Sequence, residues 1–235
     1  MRVAIYNDAF LPASPHFGCE LVMKTFKEQL DRVGIELVGT VKVNDKNPHS
    51  KTLEKADLVI VNGEGSFHHN RRNDLAEVSH YFPSILINTV FEDNSVDLTK
   101  FKYISARETI SAKNLNCDII PDIIVTSNIL ETIKQKRVIQ GKGVGNIRHH
   151  SGIKTLQILD KFLPELCQYS SVTSESFHGI LVSYILGIPC TNILPGSGVL
   201  WKTSSVAKDI EMNENYLETG RHKVNALFEN LHSFT

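Results

Sequence analysis

The chain lacks most of the features that would settle its class at once. No segment approaches the ~20 consecutive apolar residues that a membrane-spanning helix requires. The start, Met1 to Asp8, has no long apolar run and reads as a first strand rather than a signal peptide. Its four cysteines (Cys19, Cys117, Cys167 and Cys190) are widely separated and form no CxxC pair, which argues against a disulfide framework and for reduced, mostly buried thiols. There is no HExxH or paired-cysteine geometry among the ten histidines, so no structural zinc and no cofactor is expected. A net charge of −1 excludes a global attraction to nucleic acid or to an anionic membrane surface. Repeats and low-complexity stretches are absent too. What remains is an ordinary globular composition, 41% apolar and 22% charged over 235 residues, expected to work in the cytoplasm.

The first half alternates strand-like and helix-like patterns. Val3 to Tyr6 reads as a strand, and a helical stripe from Glu20 (Val22, Phe26, Leu30, Val33) stops at Gly34. A strand is expected over Ile35 to Val43 and a short helix over Lys51 to Ala56. Leu58 to Val61 is a continuous apolar run typical of a strand buried on both faces. Asn62-Gly63-Glu64-Gly65-Ser66 reads as a loop at its carboxyl end. Ser84 to Asn88 and Tyr103 to Ser105 are further strands, with a helix from Glu108 to Leu115. Alternation of this kind predicts an α/β fold with a Rossmann-like parallel sheet, whose ligands bind outside the carboxyl ends of the strands. The second half predicts a turn at Gly141, Gly143 and Gly145, a helix over Ile153 to Phe162, a strand ending at Val172, another over Pro189 to Leu194, and a helical tail from Ser205.

The segment Thr173-Ser174-Glu175-Ser176-Phe177-His178-Gly179, followed by an apolar run and Gly187-Ile188-Pro189, is the richest in chemistry. A helix start carries unpaired N–H groups and suits an anion, glycine lets a ligand approach the backbone, and histidine exchanges protons near neutral pH. This segment resembles the C-terminal signature of the polysaccharide pyruvyl transferase family. Three others resemble the same family in the same order. They are Pro15-His16-Phe17-Gly18-Cys19-Glu20, Asn62-Gly63-Glu64-Gly65-Ser66, and Ser105-Ala106-Arg107-Glu108 to Ser111 with Pro121-Asp122 downstream.

The resemblance implies a glycosyltransferase-B-like architecture of two lobes, here 1–127 and 128–235. Only 56 positions separate Asp122 from His178 (178 minus 122), so the second lobe is reduced. It also implies a transferase that moves the enolpyruvyl group of phosphoenolpyruvate to saccharide hydroxyls. The expected catalytic residues are His178, as acid or phosphate contact, and Glu64, as base. The expected substrate contacts are His16, Gly18, Gly63, Gly65, Ser66, Arg107, Ser174, Ser176 and Gly179. Ser176 stands where many family members have arginine.

Plainer roles stand beside these. Ser174 and Ser176 suit helix capping equally well, Arg107 an exposed ion pair with Glu108, and the Gly63–Ser66 segment an ordinary turn. His68, His69, Arg71 and Arg72 suit a solvated face. Gly141 to Asn146, with Arg148, His149 and His150, suits either a phosphate cradle or a plain turn. An alternative function is a compact glycosyltransferase with a nucleotide-sugar donor and a glycan, small molecule or modified nucleic-acid base as acceptor. Nucleic acid is the least favoured acceptor, given the charge. A third possibility is a non-catalytic sugar-binding protein.

Overall fold

A computed structural model describes residues 1–68, 72–92, 95–137, 141–147, 158–193 and 201–235. In chain order the elements are β1 (Arg2–Asp8), α1 (Phe17–Arg32), β2 (Glu36–Lys42), β3 (Leu58–His68), α2 (Asp74–Glu77), β4 (Ser84–Glu92), β5 (Tyr103–Ala106), α3 (Thr109–Leu115) and β6 (Asp118–Ile119). There follow α4 (Asn128–Lys136), β7 (Val144–Ile147), α5 (Leu159–Leu166), β8 (Ser171–Ser174), α6 (Phe177–Ile185), β9 (Cys190–Asn192), α7 (Trp201–Met212) and α8 (Tyr216–Glu229). The fold is α/β and Rossmann-like. Six strands pair in parallel in the order β2-β1-β3-β4-β5-β6, and β7-β8-β9 form a second parallel sheet. The chain runs outward from β1 to β2, then returns to β3 and proceeds the other way. The crevice where strand order reverses therefore lies between β1 and β3, where ligands of such sheets bind.

Period-two alternation sorts the central strands onto two faces. Val3, Ile5, Leu58 and Ile60 pack with α1 (Leu21, Phe26, Leu30), whereas Ala4, Tyr6, Val59 and Val61 face Leu53, Leu75 and Val78. All four residues of Leu58–Val61 are fully buried. Each such aliphatic side chain is worth ~1.5–3 kcal/mol relative to exposure, which is why a run with no polar alternation folds as an inner strand. The first apolar cluster continues into the other sheet through Ile147, Phe162, Val172 and Leu181. Phe17 of α1 stacks on Phe162 of α5 at 3.7 Å between ring centroids.

Several expectations shift. Helix α1 begins at Phe17, not Glu20, because His16 caps it. Lys51 to Ala56 forms only a 3-10 turn over Leu53–Lys55. Gly141 and Gly143 take positive φ, but Gly145 lies inside β7 against the Tyr169 ring, so no glycine cradle forms there. Arg148, His149 and His150 lie outside the described residues, as do 151–157, and α5 starts at Leu159. Strand β9 is Cys190–Asn192, and Leu194 is likewise outside. The helical tail begins earlier than Ser205, at Trp201. The four cysteines are free, as expected, but partly exposed rather than buried.

Candidate functional site

The segment Asn62-Gly63-Glu64-Gly65-Ser66 is not a loop. It continues β3 to His68, paired in parallel with an equally extended β4. Glu64 opposes Thr89 and Phe67 opposes Phe91, so β3 holds one extra residue there, a bulge. A bulge re-aims a side chain, and here it turns Glu64, at φ 40, away from ordinary strand geometry. Its neighbours at the carboxyl edge are in the left-handed region too: Asn7 (φ 71) on β1 and Asn88 (φ 56) on β4. Such backbone costs of order 1–3 kcal/mol per residue and collects at working sites.

A polar lattice holds the bulge. Asn7 Nδ2 donates to Asn62 O (2.5 Å), Asn62 Nδ2 to Asn7 O (3.3 Å), and Asn88 Nδ2 to Asn62 Oδ1 (3.1 Å). Asn62 Nδ2 also donates to Glu64 Oε1 (3.0 Å), and the Cys19 thiol donates to Glu64 Oε2 (3.5 Å). Burial and the adjoining Glu64 push the Cys19 thiol far up, so it stays a neutral donor. Gly63 is tied to this arrangement by space, since a Cβ there would run into Thr89. Gly65 and Ser66 lie in the same strand.

Arg107 departs from the expected exposed ion pair. It is buried, with Nη1 2.7 Å from Asp122 Oδ2 and its guanidinium 3.9 Å over the Phe177 ring. Glu108, its presumed partner, instead caps α3 and accepts from the Ser205 hydroxyl. Among the described residues Arg107 Nε has no hydrogen-bond partner. Asp122 is fully buried and also accepts from Ile124 N. Burial alone would push its carboxyl up, but His178 and Arg107 outweigh that and hold it below the usual carboxylate range. His178 Nε2 lies 3.3 Å from Asp122 Oδ2, near enough for an ion pair but off-axis for a well-formed hydrogen bond.

His178 opens α6 and is almost wholly buried. Gly18 makes room for it, because a Cβ there would overlap the imidazole. Ser176 is the α6 N-cap, accepting from Gly179 N (3.4 Å). Ser174 closes a tight turn, accepting from Ser176 N (3.0 Å) and donating to Ser176 O (3.1 Å). Gly179 is required because a Cβ would meet the Ser174 hydroxyl. The expected contacts thus divide in two. His16, Glu64, Arg107, Ser176 and His178 surround one cavity of about 200 Å³, whereas Gly18, Gly63, Ser174 and Gly179 shape its walls from behind.

Cys19, Phe177 and Lys202 complete the lining. Lys202 carries no local sequence signal. It belongs to the first turn of α7. Burial, and then the nearby Arg107 charge, lower its ammonium to about 8. Three helices start at this cavity: α1 capped by His16, α6 capped by Ser176, and α7 at Lys202. Helix starts carry partial positive charge, so the cavity is cationic on most sides, with Glu64 opposed to His178. Arg72, expected on a solvated face, is instead half-buried and ties Asp74 to Asn7. His69 and Arg71 lie outside the described residues. Among the described residues no group of His, Cys, Asp and Glu could hold a metal ion, and no helix is long and apolar enough to cross a membrane.

No protein-family description and no curated protein matches this chain. Among solved structures, an uncharacterised protein of Klebsiella pneumoniae is similar over 91% of this chain and 90% of its own, at TM-score 0.64 and 14% identity. That likeness shows the fold alone. A periplasmic solute-binding protein of Actinobacillus succinogenes with bound D-allose aligns over 93% of this chain and 92% of its own, at TM-score 0.33 and 10% identity, too low to carry an argument.

Proposed function

We propose that the chain is a transferase that moves the enolpyruvyl group of phosphoenolpyruvate to hydroxyls of a saccharide. The observation that carries this reading is the single small cavity. It joins a cationic wall (Arg107, Lys202 and three helix starts) to a carboxylate, Glu64, and a His–Asp pair, His178 with Asp122. A donor bearing a carboxylate and a phosphate suits that wall. His178, with Nε2 3.3 Å from the Asp122 carboxylate, is the proton-exchanging group of this reading.

In the reaction the first acceptor hydroxyl forms a bond to C2 of the donor while C3 gains a proton from His178. A second hydroxyl then bonds to C2 as the C2–O bond to phosphate breaks. Two hydroxyl protons leave the acceptor. One replaces the proton delivered to C3, and the other departs with phosphate, each passing through Glu64 or His178 as base. Oriented helix starts and Arg107 stabilise the charge on the departing phosphate.

The competing glycosyltransferase reading needs room for a nucleotide. A volume of about 200 Å³ lies below the ~300–1,000 Å³ typical of drug-sized ligand sites, which favours the smaller donor. The paired acid and base groups weigh against a purely sugar-binding role. A two-lobed arrangement in the manner of glycosyltransferase B, with a reduced second lobe, belongs to the same proposal. Calorimetric titration with phosphoenolpyruvate and with a panel of nucleotide sugars tests it. Phosphoenolpyruvate is expected to bind and the nucleotide sugars not; the reverse result establishes the glycosyltransferase reading.

A further inference from the structure

Lys202 occupies a position that opposes its own charge. It sits in the first turn of α7, where the helix dipole disfavours a cation. It lies beside Arg107, half-buried, in a cavity where α1 and α6 also present their positive ends. Among the described residues its ammonium has no hydrogen-bonding or ion-pairing partner. Among the described residues the one carboxylate lining the same cavity is Glu64, which already accepts from Asn62 and Cys19. Burial and Arg107 disfavour its charge, Glu64 and Glu92 offset them only in part, and a bound anion would tip the balance toward the charged form. Across the cavity Ser176, the α6 cap, offers no charge of its own.

We propose that Lys202 is the second anion-binding residue of this cavity, and that at alkaline pH, where part of its population is neutral, anion binding takes up a proton there. The inference rests on the reading of the cavity as an anion site. With no ligand, burial and Arg107 keep the ammonium near pKa 8, partly neutral at slightly alkaline pH. A dianion within hydrogen-bond distance favours the charged form and moves the titration upward. The groups facing Lys202 are Glu64 on β3, Glu92 at the end of β4, Arg107 before α3, His16 and Cys19 at the start of α1, and His178 on α6. Uptake through Lys202 is separable from uptake through any of these groups by substituting Lys202 alone.

The experiment titrates the whole chain with inorganic sulfate, whose charge is constant across the range, and separately with phosphoenolpyruvate. Calorimetry at pH 8 in buffers of different ionisation enthalpy gives the protons taken up per anion bound. The expected value is about half a proton at pH 8, rising toward pH 9. Lys202→Arg is expected to bind sulfate with no uptake at these pH values, and Lys202→Met to bind roughly tenfold more weakly, in line with a charge-assisted hydrogen bond. Sulfate binding without uptake in the unsubstituted protein, or uptake that persists in Lys202→Met, overturns this inference and leaves the proposed function standing. Uptake with sulfate but no phosphoenolpyruvate binding supports the role of Lys202 and overturns pyruvyl transfer. If neither anion binds, both are overturned.

Discussion

The two sheets position their chemistry by opposite means. On the six-stranded sheet Glu64 is fixed by a polar lattice: three left-handed residues, a bulge, and donors from Asn62 and Cys19. On the three-stranded side His178 is fixed by exclusion, pressed against Gly18 at the start of an apolar helix, with Asp122, just past β6, beside its Nε2. A polar lattice sets an angle and stores strain. Close packing sets a distance and stores none. The difference teaches that substitutions on the two sides should fail differently, one by loosening and the other by collision.

The largest effect is expected where the two sides meet, at Asp122. Asp122→Ala strands Arg107 as an uncompensated buried charge, a change that typically costs about 3–5 kcal/mol. Urea unfolding at pH 7 reads it directly. The sign of the pH dependence follows from the depressed folded-state pKa. The Asp122 contribution is present above the unfolded value near 3.9 and is lost as pH falls through the folded value. Asp122→Asn should therefore be less stable than the parent at pH 7, with the gap narrowing in acid; a constant gap would mean that the carboxyl is not what Arg107 needs.

Next is Gly18→Ala on the packed side. The new methyl collides with the imidazole, and overpacking of this kind costs about 1–3 kcal/mol. Because His178 must move, anion binding should fall along with melting temperature. A variant that melts lower but binds sulfate normally would show that the contact is structural only. The smallest effect is expected on the lattice side. Asn62→Ala removes bonds to Asn7 and Glu64, worth roughly 1–2 kcal/mol, and releases the Glu64 carboxylate. In a phosphate-release assay the signature is a lower kcat with little change in KM for phosphoenolpyruvate. An unchanged kcat would remove Glu64 from the chemistry.

Legibility in the sequence follows how local each cause is. Leu58–Val61 is readable because four consecutive apolar residues in an α/β pattern have few alternatives to an inner strand. The continuation to His68 is not, because Asn-Gly-Glu-Gly-Ser has turn composition and becomes strand only when β4 extends beside it. The start of α6 is signalled by Ser176 and the apolar run after His178. The bond from Arg107 to Asp122 spans fifteen positions and depends on β5 and β6 lying side by side, so the neighbour Glu108 looks the better partner in one dimension. Lys202 is least legible of all. Nothing near it marks a site, and it reaches the cavity only because α7 packs against α6 and α3.

The stacking of Phe17 on Phe162, within an apolar cluster common to both sheets, ties the two sides of the cavity together, with a consequence for the proposed function. Enzymes whose halves swing together measure a substrate by how far it lets them shut. Here the walls share one interior, and moving them apart would expose Leu21, Ile147 and Leu181 to water. The cavity is thus a gauge of fixed bore. Under the proposed function, selection would rest on whether a molecule fits beside Glu64 and His178 as they stand, so that larger anions bind more weakly than small ones.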